Sequence, residues 1–177
     1  MKNIQILAIS GSLRAKSANS AVLKAAQILS PKVVNLTLYS ELDRLPHFNP
    51  DLDLEPLPEV IASLRQQIGN SDGILISSPE YAHGVPGSLK NALDWLVSSI
   101  EFANKPVALI NTNPRATIAQ ASLKEILITM SAQIIEPASI TLDLAGKSLD
   151  AEAIVADSTL SAQLTQAIAI FVRAISQ

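Results

Sequence analysis

Ile4-Gln-Ile-Leu-Ala-Ile9, followed directly by Ser10-Gly-Ser-Leu-Arg-Ala-Lys-Ser-Ala-Asn19, is the stretch that decides the fold. The first six residues are apolar apart from Gln5, and nearly continuous rather than alternating. That is the pattern of a strand buried on both faces of a parallel sheet. The next ten supply hydroxyls, an amide, a glycine and cations. They lead into a helical pattern in which Val22, Ala25, Ala26 and Leu29 share one face. A strand, a polar turn and an amphipathic helix in that order open a βαβ unit.

The same alternation recurs along the chain. Residues 33–38, 73–77, 107–110 and 139–142 read as further strands. Leu89, Leu93, Leu96 and Val97 give one helical face, Leu123, Ile126, Leu127 and Met130 another. Leu160, Leu164, Ala167, Ile168, Phe171, Val172 and Ile175 form the stripe of a long C-terminal helix. The ten prolines fall where segments begin or end, and Pro86 and Pro114 read as first helical positions, where the missing N–H costs nothing. These repeats predict an α/β, flavodoxin-like three-layer sandwich: a five-stranded parallel sheet of order 2-1-3-4-5 with helices on both faces, as one domain over residues 1–177. Residues 39–58 hold four prolines and little periodicity, so they read as a long loop beside the sheet, of a length often functional or mobile.

Composition narrows the function. The 177 residues contain no cysteine, which excludes disulfides, thiol catalysis, iron–sulfur ligation and thiolate zinc sites. A net charge of −3 lacks the basic footprint that a nucleic-acid partner needs. No apolar run approaches the roughly 20 residues of a membrane helix. No metal site is expected, and the expected location is cytoplasmic.

In open α/β sheets ligands bind at the carboxyl ends of the strands near the switch in strand order, here the loops at 10–19, 77–86 and 111–117. The first is neither a Walker loop nor a G-x-G-x-x-G turn, since Gly11 stands alone. Its hydroxyls, amides and Arg14 at a helix N-terminus suit a dianionic phosphate monoester. The competing reading is ordinary helix capping by Ser17, Asn19 or Ser20. In the second loop Pro79 stiffens the strand exit, Gly84 and Gly87 permit close approach of a flat ligand, and Tyr81 offers an aromatic face. Backbone amides from Glu80 to His83 point at ring heteroatoms in this reading. Trp95 reads as core. His83 is a weak catalytic candidate, and no general acid or base is assigned.

Gly11-Ser-Leu-Arg14 with Ser17 and Asn19, then Pro79-Glu-Tyr81, Gly84, Pro86, Gly87, Leu89-Lys-Asn-Ala92 and Asp94-Trp95, resembles the NADPH-dependent FMN reductase family. That family includes flavodoxin-like quinone, azo-dye and chromate reductases. The resemblance implies FMN as cofactor, with Ser12, Arg14, Ser17 and Asn19 on its phosphate, beside Ser10 and Ala18. It implies that Pro79, Glu80, Tyr81, Ala82, His83 and Gly84 line the ring and ribityl chain, with Asn113 and Arg115 in the third loop. It further implies NADPH or NADH as hydride donor to flavin N5, a small acceptor such as a quinone, free flavin, azo compound or chromate, and a homodimer or homotetramer. Two departures stand out: Ala82 where the family often has Asn, and Asn113-Pro-Arg-Ala-Thr117 where it often has Gly-Gly. Arg115 approaches the flavin or nicotinamide phosphates, forms a surface salt bridge, or starts a helix. The alternative function is a flavodoxin-like electron carrier, against which the modest acidity and 3% aromatic content argue. A signalling receiver domain needs an acidic cluster where Ser10-Gly-Ser12 stands.

Overall fold

The computed structural model describes residues 3–176. In chain order the elements are β1 (Ile4–Ser10), α1 (Ala18–Leu29), β2 (Val34–Leu38), α2 (Glu59–Asn70), β3 (Gly73–Ser77), α3 (Gly87–Asp94), β4 (Pro106–Asn111), α4 (Thr117–Thr129), β5 (Gln133–Ile134), β6 (Ile140–Thr141), α5 (Ala151–Ala156) and α6 (Ser158–Ile175). The sheet runs β2-β1-β3-β4-β5, all parallel, with β6 also paired to β4. This is the expected flavodoxin-like order.

Alternation along the central strands explains their continuous apolar runs. Ile6 and Ala8 of β1, Leu75 of β3 and Ala108 and Ile110 of β4 face α1, α5 and α6. The intervening Leu7, Ile9, Ile74, Ile76, Val107 and Leu109 face α2, α3 and α4. Both sets are apolar because both faces are covered. Each fully buried Leu or Ile stabilises by about 1.5–3 kcal/mol relative to exposure. Gly73 marks where α6 lies directly on the sheet: a Cβ there would stand 2.6 Å from Ile175 Cδ1 and 2.9 Å from Phe171 Cζ.

Four expectations are corrected. The fifth strand is two short pieces, β5 and β6, separated by a 3₁₀ turn over Glu136–Ala138 that contains Pro137. Proline cannot supply a ladder N–H, so the edge bulges, and Ser139 Oγ accepts from Leu109 N at 3.1 Å in place of a strand carbonyl. Pro86 precedes α3 as its cap residue in extended conformation. Pro114 lies further upstream of its helix. Asn111 Oδ1 accepts from Asn113 N, and Asn113 Oδ1 from Arg115 N, so two successive side-chain turns delay α4 to Thr117. Val97 is 66% exposed, since the chain leaves the α-helix at Asp94 and continues in tighter turns that end the 3-4 spacing.

Trp95 is fully buried, as expected. It anchors the 39–58 loop, donating from Nε1 to Pro46 O at 2.8 Å and meeting Phe48 edge-on at 5.1 Å. Asn91 adds bonds to Pro46 O and Phe48 N. Arg65 ties Asp53 to Trp95 O and Ser98. With Tyr39, Leu42 and Leu45 buried in the same core, the loop is a fastened wall beside the sheet.

Candidate functional site

The carboxyl ends of β1, β3 and β4 close on polar residues: Ser10, then Ser77 and Ser78, then Asn111 and Thr112. Loops 1 and 2 touch directly. A Cβ on Gly11 would stand 2.7 Å from Ser78 Oγ, so a side chain there would have to displace that hydroxyl. Gly11 N donates to Ser77 O, and Ser12 Oγ lies 3.4 Å from Tyr81 Oη.

The N-terminus of α1 is open. Ser17 holds the cap position but its hydroxyl makes no cap bond, so the capping reading fails for it. Among the described residues the amides of Ala18, Asn19 and Ser20 have no partner, and neither does the Arg14 guanidinium. Asn19 is turned into a three-loop knot instead: its Oδ1 accepts from Ser77 Oγ at 2.9 Å and Thr112 Oγ1 at 3.2 Å. Ser77 also lies 2.8 Å from Ile110 O, so one hydroxyl proton faces two acceptors. Ser20 and Ser10 pair at 2.9 Å. Ser12, Ser17 and Asn19 are all buried. Buried hydroxyls, free first-turn amides and an unpaired cation form a donor set for an anion.

Loop 2 folds back on itself. Tyr81 and Gly84 exchange two backbone hydrogen bonds of 3.1 and 2.9 Å. Ala82 and His83 between them sit at φ +49° and +57°. Two left-handed central residues make this a type I′ turn, which ordinarily takes Asn-Gly. Their amides have no partner among the described residues.

The Glu80 side chain has a partner of its own outside loop 2. Its carboxylate turns away to α4, where Oε2 accepts from Ala119 N at 2.8 Å, and Oε1 faces His83 Nδ1 at 2.9 Å. Because a carboxylate only accepts, His83 Nδ1 carries the proton in that bond. The Ala119 amide holds the Glu80 carboxyl below the usual range, with His83 adding to the effect. In the third loop Asn113 is used by its own turn, while Arg115 is exposed and has no ion pair among the described residues, so the salt-bridge reading is not realised.

Sequence reasoning overlooked Ser77 and Thr112 as holders of Asn19, and Gln120, whose Nε2 donates to Ser78 O at 3.2 Å. Polar residues closing apolar strands were the available signal for the first two.

The model of the NADPH-dependent FMN reductase family matches residues 4–147. The chain belongs to that family. It is 31% identical over 179 residues to an NAD(P)H-dependent FMN reductase of Pseudomonas aeruginosa, covering 97% of this chain and 96% of that protein. A quinone reductase of Escherichia coli K12 is 32% identical over 140 residues, covering 75% of this chain and 74% of its own. Among solved structures, the flavoenzyme FerB of Paracoccus denitrificans, an NAD(P)H:(acceptor) oxidoreductase, superposes with a TM-score of 0.81 at 29% identity, covering 98% and 97% of the two chains. The two loops that carried the family resemblance both lie within the matched residues. FMN suits them: its phosphate is a dianion for the open N-terminus of α1, and its ring is a set of acceptors for unpaired amides.

Proposed function

We propose that this chain is an NAD(P)H-dependent FMN oxidoreductase that reduces a small acceptor of the quinone class. The observation that carries the reading is the N-terminus of α1, where Ser12, Ser17 and Asn19 are buried and, among the described residues, the amides of Ala18, Asn19 and Ser20 have no partner. When bound, FMN supplies the redox chemistry, taking a hydride from NAD(P)H and passing electrons to the acceptor. In this reading Ser10, Ser12, Arg14, Ser17, Ala18 and Asn19 hold the phosphate, through Arg14's charge and the amides of the helix end. Pro79, Glu80, Tyr81, Ala82, His83 and Gly84 form the wall beside the ring, chiefly through backbone. Asn113 and Arg115 border the side where nicotinamide and acceptor enter. No side chain is assigned a proton-transfer role.

The domain spans residues 1–177 and acts in the cytoplasm, where reduced nicotinamide is supplied; among the described residues no helix is long and apolar enough to cross a membrane. A homodimer or homotetramer is supported by Leu52, Leu54, Val97 and Ile100, exposed around the Asp53–Ser98 contact. The test is the visible spectrum of purified protein mixed with FMN, before and after anaerobic NADPH. A bound-flavin band that bleaches is the expected result. Binding without bleaching fits an electron carrier, and no binding removes the function while leaving the fold.

A further inference from the structure

Helix α4 has no cap of its own. Ala116 holds the cap position, makes no side-chain bond, and is among the poorest residues there. The missing acceptor arrives from Glu80, in another loop, whose Oε2 takes the Ala119 amide in the third helical position, with Ile118 N–H contributing. Gln120 of the same first turn reaches back to Ser78 O. The other oxygen of Glu80 holds His83, which with Ala82 forms the left-handed centre of this turn. Alanine and histidine do not favour that conformation by themselves, so the surroundings must impose it.

We propose that Glu80 is a positioning residue for the flavin: seated on the α4 N-terminus, it holds the Ala82-His83 turn in the left-handed form that leaves two backbone amides free for the isoalloxazine. This rests on the FMN reading above. It also gives Ala82 a meaning, since the family's more usual Asn tolerates left-handed backbone by itself.

The test uses the full chain and FMN, with affinity read from flavin fluorescence and the helix end from amide hydrogen exchange. Glu80→Ala is expected to bind FMN about tenfold more weakly, the scale of one or two left-handed residues released. Ile118 and Ala119 amides should lose protection in the same variant. Adding Ala82→Asn and His83→Gly, which favour a type I′ turn without help, should restore FMN affinity to within about twofold while those amides stay unprotected. If Glu80 were only a helix cap, the turn substitutions would restore nothing, and that result overturns the proposal. So does wild-type affinity in Glu80→Ala. Should that variant fail to fold, Glu80→Gln carries the test: it keeps an acceptor for Ala119 but removes the charge facing His83, with at least a threefold loss expected and equal affinity overturning the idea. Wild-type protein that binds no FMN overturns the functional reading and the positioning role with it, whereas tight wild-type binding with unaffected variants removes only the latter.

Discussion

Two helix N-termini face the same end of the sheet and are treated in opposite ways. At α1 the cap residue Ser17 makes no cap bond and, among the described residues, the first-turn amides have no partners. At α4 the Glu80 carboxylate already occupies the equivalent place. Both ends carry the same partial positive charge. The difference teaches that a helix N-terminus becomes an anion site only where the chain declines to fill it from within.

The strongest way to break this contrast is to put an internal carboxylate at α1. Asn19→Asp is nearly isosteric, and Ser77 and Thr112 can still donate to it. Like charge against a phosphate costs several kcal/mol, so FMN affinity should fall at least about 100-fold with the fold intact, as read by fluorescence titration and thermal melting. Retained affinity would place the phosphate elsewhere. Next, Arg14→Ala should weaken FMN by about 1.5–3 kcal/mol, the scale of a charge-assisted hydrogen bond. Arg115→Ala, at a cation likewise without an ion pair among the described residues but beside the filled helix end, should change it by under about 1 kcal/mol. Equal effects in the two titrations would erase the distinction.

What was legible beforehand follows the same divide. The strands β1, β3 and β4 could be read because burial on both faces writes a continuous apolar run, and the loop hydroxyls because polar residues stand out after such runs. The split of the fifth strand was hidden: it depends on a serine hydroxyl standing in for a strand carbonyl beside Pro137. Glu80 was hidden for a different reason. Its partner amide lies 39 residues further along, and no local pattern links the two. The sequence places Glu80 in the wall with its neighbours and gives no partner for its side chain.

Acid should distinguish the ends more gently. The Glu80 carboxyl is held below its ordinary value of 4.5, first by the Ala119 amide and against the opposing effect of burial. A lowered folded-state value means its contribution is present above about pH 4.5 and is lost as pH falls through the lower folded value. The Ile118 and Ala119 amide signals should therefore titrate in NMR with a midpoint below 4.5, and cease to do so in Glu80→Gln. The α1 amides of Ala18, Asn19 and Ser20 should show no such step. A matching titration at α1 would mean a carboxylate reaches that end too.

The smallest effect is the most pointed. A serine at an N-cap ordinarily stabilises its helix by about 1 kcal/mol over alanine, through a bond to a first-turn amide. Ser17 sits at that position, buried, without the bond. Ser17→Ala should then leave the melting temperature of the FMN-free protein nearly unchanged, within about 0.5 kcal/mol, because no cap is lost. FMN affinity should still drop at least about tenfold, since a hydrogen bond to the charged phosphate contributes about 1.5 kcal/mol or more. The opposite pairing, a cap-sized loss of stability with unchanged FMN affinity, would make Ser17 an ordinary cap. The α1 end would then be filled from within like α4, and the reason for placing a phosphate there would be gone.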